Sequence, residues 1–133
     1  MPLGSAPLRS DWPAEKDPGG DTAGAISTRV VGLLRNRTGR GPTKAKTSIS
    51  SDLVVITLAD CLTPGERQLA AAGHADLVVH TRGVLHQGLR AAATAIVEEL
   101  TERQVSAYLT AQHHDPDLAI LIFYLAPAPM RAM

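Results

Sequence analysis

The chain has 133 residues, enough for one domain and too few for two. Its 13 Lys and Arg balance 13 Asp and Glu, which excludes a body built as a glove for nucleic acid or an anionic membrane. Only Trp12, Tyr108, Phe123 and Tyr124 are aromatic, too few for a platform on which single-stranded bases stack.

Residues 1–23 hold Pro2, Pro7, Pro13 and Pro18 with scattered apolar residues and no period. Such a segment cannot offset its ordering entropy and is expected to be a disordered tail, with Trp12 its one oddity. Ile26, Val30, Val31, Leu33 and Leu34 then mark the apolar stripe of a short helix, with Ser27 or Thr22 available to cap its start. Gly39-Arg40-Gly41-Pro42 must end it. Lys44 to Ser50 alternates, with Ala45, Thr47 and Ile49 opposite Lys44, Lys46 and Ser48. It reads as a strand with one wet face near a sheet edge, where lysines discourage stray pairing.

Leu53 to Leu58 is a strand apolar on both faces. Thr63-Pro64-Gly65-Glu66 is the sharpest local signal: a capping threonine, a proline at the first helical position and a glutamate three residues on. Gly73 is expected to split the helix that follows into a short piece and a long one from Ala75 to Arg103. In the long piece, Val78, Leu85, Leu89, Ala92, Ala93, Ile96 and Leu100 share a sector of roughly 100°. Gly83 and Gly88 within it are expected where a neighbouring backbone approaches closely. Val105 to Ala111 alternates as a strand, His113 to Asp117 is a turn, and Leu118 to Leu125 is apolar on both faces.

The order α-β-β-α-β-β predicts a two-layer α+β domain over residues 24–126. A four-stranded, mainly antiparallel sheet is expected under one long helix and a short N-terminal helix, followed by a C-terminal tail at 127–133. One long helix covers one face of such a sheet. The other face, greasy on two strands, needs the first helix or a second copy of the chain, and a homodimer is the expectation.

Chemistry-bearing residues are few. Arg29, Arg35, Arg37, Arg40, Lys44 and Lys46 form a run with no acidic residue among them, around a glycine turn whose amides can form an anion-binding nest. Gly39, Arg40, Gly41, Pro42 and Lys44 are therefore a candidate site for an anion or an acidic partner. Arg82 falls about 40° from the centre of the apolar stripe of the long helix and must either pair with a carboxylate or serve an interface. His74, His80 and His86 are six apart and do not share a helix face. His113-His114 with Asp115 and Asp117 could supply metal ligands, but a polar turn explains the same residues, and neither metal nor cofactor is expected.

Cys61, the single cysteine, excludes an internal disulfide and reads as a small buried hydrophobe. Glu98 and Glu99 are consecutive and point to different sides of a helix, so they are not a catalytic carboxylate pair. No apolar run reaches a membrane span and no signal pattern opens the chain, so a cytoplasmic protein is expected.

Gly39-Arg40-Gly41-Pro42 before a basic alternating strand, Asp52-Leu53-Val54-Val55, and Leu62-Thr63-Pro64-Gly65-Glu66-Arg67 together resemble a family of small bacterial proteins. It is the family named after the MpsC component of a sodium-translocating, membrane-potential-generating system (YbcI-type proteins). The long helix with Arg82 and the Asp115-Pro116-Asp117 turn fit the same pattern, and the likeness spans about residues 24–126. Gly39, Gly41, Pro42, Thr63, Glu66 and Arg82 match positions typical of the family, which supplies no catalytic residues to carry over. The resemblance implies a link to a membrane cation-transport system.

The expectation is therefore a non-enzymatic accessory or regulatory protein that binds an acidic protein partner or a membrane-associated complex through Arg40 and Arg82, with no nucleic acid and no membrane insertion. The alternative is a small-molecule sensor whose Gly39–Pro42 loop takes a phosphate- or carboxylate-bearing ligand.

Overall fold

The structure is a computed structural model that describes residues 20–127. The expectations for Trp12, for most of the N-terminal tail and for nearly all of the C-terminal tail lie outside those residues. The elements are α1 (Gly20–Thr38), β1 (Lys44–Ser50), β2 (Leu53–Ala59), α2 (Pro64–Leu69), α3 (Ala75–Gly88), α4 (Arg90–Thr101), β3 (Val105–His114) and β4 (Asp117–Leu125). The domain is α+β. The strands form one antiparallel sheet in the order β1-β2-β4-β3, so the two sequence hairpins meet along β2 and β4.

Helix α1 begins before the expected boundary, and Ala23, Ile26, Val30 and Leu34 are its buried stripe. Neither Thr22 nor Ser27 caps it, because both lie inside the helix. The Ser27 hydroxyl instead meets that of Thr47 on β1 at 2.7 Å. Gly39 stops α1 at φ +79°, a left-handed conformation that costs an L side chain more than glycine. Its amide donates to Arg35 O at 2.9 Å.

The capping box at α2 forms as the sequence indicates. Thr63 Oγ1 accepts from the Glu66 amide at 3.1 Å, and Glu66 Oε1 accepts from the Thr63 amide at 2.8 Å. A π-helical turn over Ala70–His74, with Gly73 at φ +98°, separates α2 from α3. The long helical arm expected from Ala75 runs as α3 and α4 with a kink at Leu89, where the Leu89 amide bonds three residues back, to His86 O. Gly83 abuts a side chain, Gln112, rather than a backbone, and Gly88 faces open space, so the expectation of close backbone approach fails at both.

A single core lies between the helices and one face of the sheet. Ile26, Val30 and Leu34 of α1 meet Leu89, Ala93, Ile96 and Val97 of the α3–α4 arm over Val54, Ile56, Leu58, Leu121, Phe123 and Leu125. The first helix therefore packs on the same face as the long arm. It does not shield the opposite face, where Leu53, Leu109 and Tyr124 are 39%, 53% and 47% exposed.

Candidate functional site: a buried arginine and an open sheet face

The residues of greatest chemical interest gather where β2 leaves the sheet. The inward residues of α3 are Val78, Arg82 and His86, four residues apart along one side of the helix, while Leu85 is only half-buried. Arg82 is only 3% exposed. Its guanidinium clasps the Glu66 carboxylate, with Nε 3.0 Å from Oε2 and Nη2 2.6 Å from Oε1, and Nη2 also donates to Cys61 O at 2.8 Å. A buried charge is tolerated only when paired and hydrogen-bonded in this way.

Glu66 thus serves twice, as the capping-box acid of α2 and as the counter-ion of α3. Partial burial opposes its ionisation, but the Arg82 hydrogen bond and the Thr63 amide outweigh that and hold its carboxyl below the usual range. The two residues are 16 apart, and the meeting is made by the tertiary fold. Arg82 finds the carboxylate that its place near the apolar stripe calls for.

Asp117 organises the same corner. Its carboxylate accepts from the amides of Cys61 at 3.0 Å and Leu62 at 2.9 Å, and from Arg67 Nη2 at 3.1 Å. Next to it Asp60, at φ +65°, is held by Thr43, Arg40 and Arg67. Partial burial alone would raise the Asp60 carboxyl; Thr43 and the two arginines reverse this and bring it below the usual range. The Asp115–Pro116 bond in the adjoining turn is cis. The sequence presented Asp117 as a turn residue and a candidate metal ligand, with no signal that it ties two distant amides.

The predicted anion loop is therefore engaged from within. Arg40 Nη2 lies 3.2 Å from Asp60, and its amide donates to Thr38 Oγ1. Gly41 sits against Val31, where an added Cβ would lie 3.3 Å from the Val31 carbonyl oxygen, and Pro42 is buried. Gly39, Gly41 and Pro42 shape the connection from α1 to β1, and Lys44 stands at the start of the edge strand. Arg40 and Arg82 reach consecutive carbonyl oxygens, those of Asp60 at 3.4 Å and Cys61 at 2.8 Å, while each pairs with its own carboxylate, Asp60 and Glu66.

His86 is fully buried. Burial, then the nearby Arg82 charge, push its imidazole down to about 4, so it is neutral at pH 7. Its Nδ1 meets Gln112 Nε2 at 2.9 Å, its backbone oxygen accepts from the Tyr108 hydroxyl at 2.8 Å, and its Nε2 has no partner among the described residues. A small cavity with room for one water molecule adjoins it, lined also by Cys61, Arg82 and Asp117. Burial, followed by the Asp117 charge, pushes the Cys61 thiol up to about 12, far from thiolate reactivity.

At the hairpin turn the rings of His113 and His114 lie nearly parallel with centroids 6.1 Å apart, and His113 Nδ1 faces Pro116 O at 2.9 Å. Among the described residues, no group of three or more His, Cys, Asp or Glu side chains is placed to hold a metal ion.

On the far side of the sheet the picture inverts. Leu53, Val55 and Thr57 of β2 and Ile120, Ile122 and Tyr124 of β4 face away from the core, between Lys44 and Lys46 on β1 and Leu109 on β3. Across its centre this face carries no charge.

A family model described as "Na+-translocating membrane potential-generating system (MpsC)" matches residues 20–127, nearly the whole of the domain just described. The chain belongs to the MpsC family. No curated protein and no solved structure matches it. Within this MpsC-family fold Arg82 is paired with Glu66, Arg40 with Asp60, and the outer sheet face is partly open to water. No described helix is long and apolar enough to cross a membrane.

Proposed function

We propose that this MpsC-family chain is a non-enzymatic cytoplasmic accessory or regulatory protein. In this reading it acts by protein–protein association in the service of the cation-transport system from which the family takes its description. One observation carries the reading: the uncharged, apolar outer face of β2 and β4, with Leu53, Leu109 and Tyr124 open to water. Contiguous apolar patches beyond a few hundred Å² are uncommon on proteins that remain alone. Removing about 400 Å² of such surface from water is worth roughly 10 kcal/mol gross.

The enclosed chemistry supports the same reading. The Cys61 thiol is buried and raised, His86 is walled in and neutral, and the arginines at the corner are matched by carboxylates. The ligand-sensing alternative at Gly39–Pro42 draws no comparable support, since Asp60 already occupies Arg40. An acidic partner contact falls more naturally on Arg35 and Arg37, exposed in the last turn of α1.

Affinity capture of the tagged chain from its own cells tests the proposal. Membrane proteins of a cation-transport system are expected with the native chain and are expected to be lost when Leu109→Lys places a charge on the open face. Capture of no such proteins, or capture unaffected by charges anywhere on that face, would overturn it.

A further inference from the structure

We infer that the open face is where two copies of this chain pack sheet against sheet. The inference rests on the association reading above and names the occupant of the same surface: the dimer is then the species that meets the cation-transport system, and Leu109→Lys costs capture by costing the dimer.

Its extent suits a dimer. Four strands spaced about 4.8 Å apart and about seven residues long, at roughly 3.4 Å each, offer a footprint of about 450 Å². Two such faces bring together about 900 Å² before side-chain relief is added, close to the roughly 1,000 Å² at which specific interfaces begin. Sheets packed face to face keep their strands within about 30° of each other and interdigitate apolar side chains, as the outer residues of β2 and β4 are placed to do.

The charge pattern favours self-pairing. The strand order sets the apolar pair β2 and β4 at the centre and the lysine-bearing β1 at one flank. Thr47 is buried and bonded to Ser27 of α1, so Lys44 and Lys46, at alternate positions on β1, face the outer side. A two-fold axis parallel to the strands lays β2 over the second copy's β4, and β1 over its β3. The lysine pairs of the two copies then lie at opposite flanks, where the register sets Lys46 of each copy above Ala111 of the other and Lys44 above His113, with no lysine above a lysine. A two-fold axis across the strands would instead stack β1 on β1 and oppose like charges. The first arrangement has an apolar centre and a polar rim, and it uses the same patch on both copies, as a closed dimer requires.

Sedimentation equilibrium of the full 133-residue chain, from about 1 to several hundred micromolar, tests the inference. A dimer is expected, with Leu109→Lys and Ile122→Lys each weakening it at least tenfold while far-ultraviolet circular dichroism and the melting transition show a folded chain. Leu77→Lys, on the exposed side of α3, is expected to leave the dimer intact.

A native chain that is monomeric throughout overturns the second copy as occupant and leaves the association reading standing. Capture of a different partner that Leu109→Lys abolishes would then identify what covers the face. A dimer that ignores Leu109→Lys and Ile122→Lys, or that Leu77→Lys breaks, overturns the sheet-face interface; if capture of transport proteins also ignores the face variants, the association reading falls with it.

Discussion

The two faces of the sheet are built from similar residues and live in opposite environments. On the inner side Val54, Ile56, Leu58, Leu121 and Phe123 are completely dry, sealed by α1 and by the α3–α4 arm. On the outer side Leu53, Val55, Ile120, Ile122 and Tyr124 are as apolar and keep contact with water. A strand's own sequence says that both of its faces prefer burial; it does not say which partner provides it. One face is covered within the chain, and the other is left partly open to water.

The sharpest way to break this contrast is to truncate one large side chain on each face. Phe123→Ala should destabilise the domain by about 3–5 kcal/mol, as expected for a large cavity in a closed core. Leu109→Ala should change monomer stability by less than about 0.5 kcal/mol. Urea unfolding of both variants at low protein concentration decides it, and comparable losses would mean that the outer face is already covered within one chain.

Of similar size is the contrast between the two arginines. Replacing Arg82 by Ala leaves Glu66 without its counter-ion and Cys61 O without its arginine donor inside the structure and should cost about 3–5 kcal/mol. Arg40→Ala removes a half-exposed pair and should cost about 1 kcal/mol or less. Equal effects on thermal unfolding would show that the corner is not enclosed as described.

The smallest effect is a pH dependence. His86 is neutral when folded and ordinary when unfolded, so the unfolded chain takes up a proton that the folded chain refuses as the pH drops. The stability that neutral His86 protects is complete above about pH 6.5 and drains away towards about pH 4, with roughly 2 kcal/mol lost between pH 6.5 and 5. His86→Gln should flatten that slope. An unchanged slope would place His86 in contact with water.

Much of this fold is written locally. Thr63-Pro64-Gly65-Glu66 names its own capping box, Gly39 and Gly73 mark interruptions, and the lysines of β1 mark an edge strand. Each depends on hydrogen bonds or steric limits within a few residues. The site was less legible. The expectation that Arg40 and Arg82 share an acidic contact treats charges by their own sequence neighbourhood, while each meets its carboxylate 16 or more residues away. His86 gave no sign of burial, because it lies just beyond the edge of the sector drawn through Val78, Leu85 and Leu89, whereas the buried side of α3 runs through Val78, Arg82 and His86. Asp117 looked like turn chemistry, because a side chain that bonds amides 55 and 56 residues earlier has no local signature.

By itself the sequence determined the elements, their polarity and the presence of a second greasy sheet surface, since periodicity and capping are short-range properties of the chain. Only the tertiary structure decided that α1 lies on the same side as the α3–α4 arm, that Arg82 is consumed by Glu66, and that the outer surface therefore has no cover from the helices. Those outcomes depend on how rigid elements compete for one limited core, and that competition is settled by packing between residues far apart in the chain.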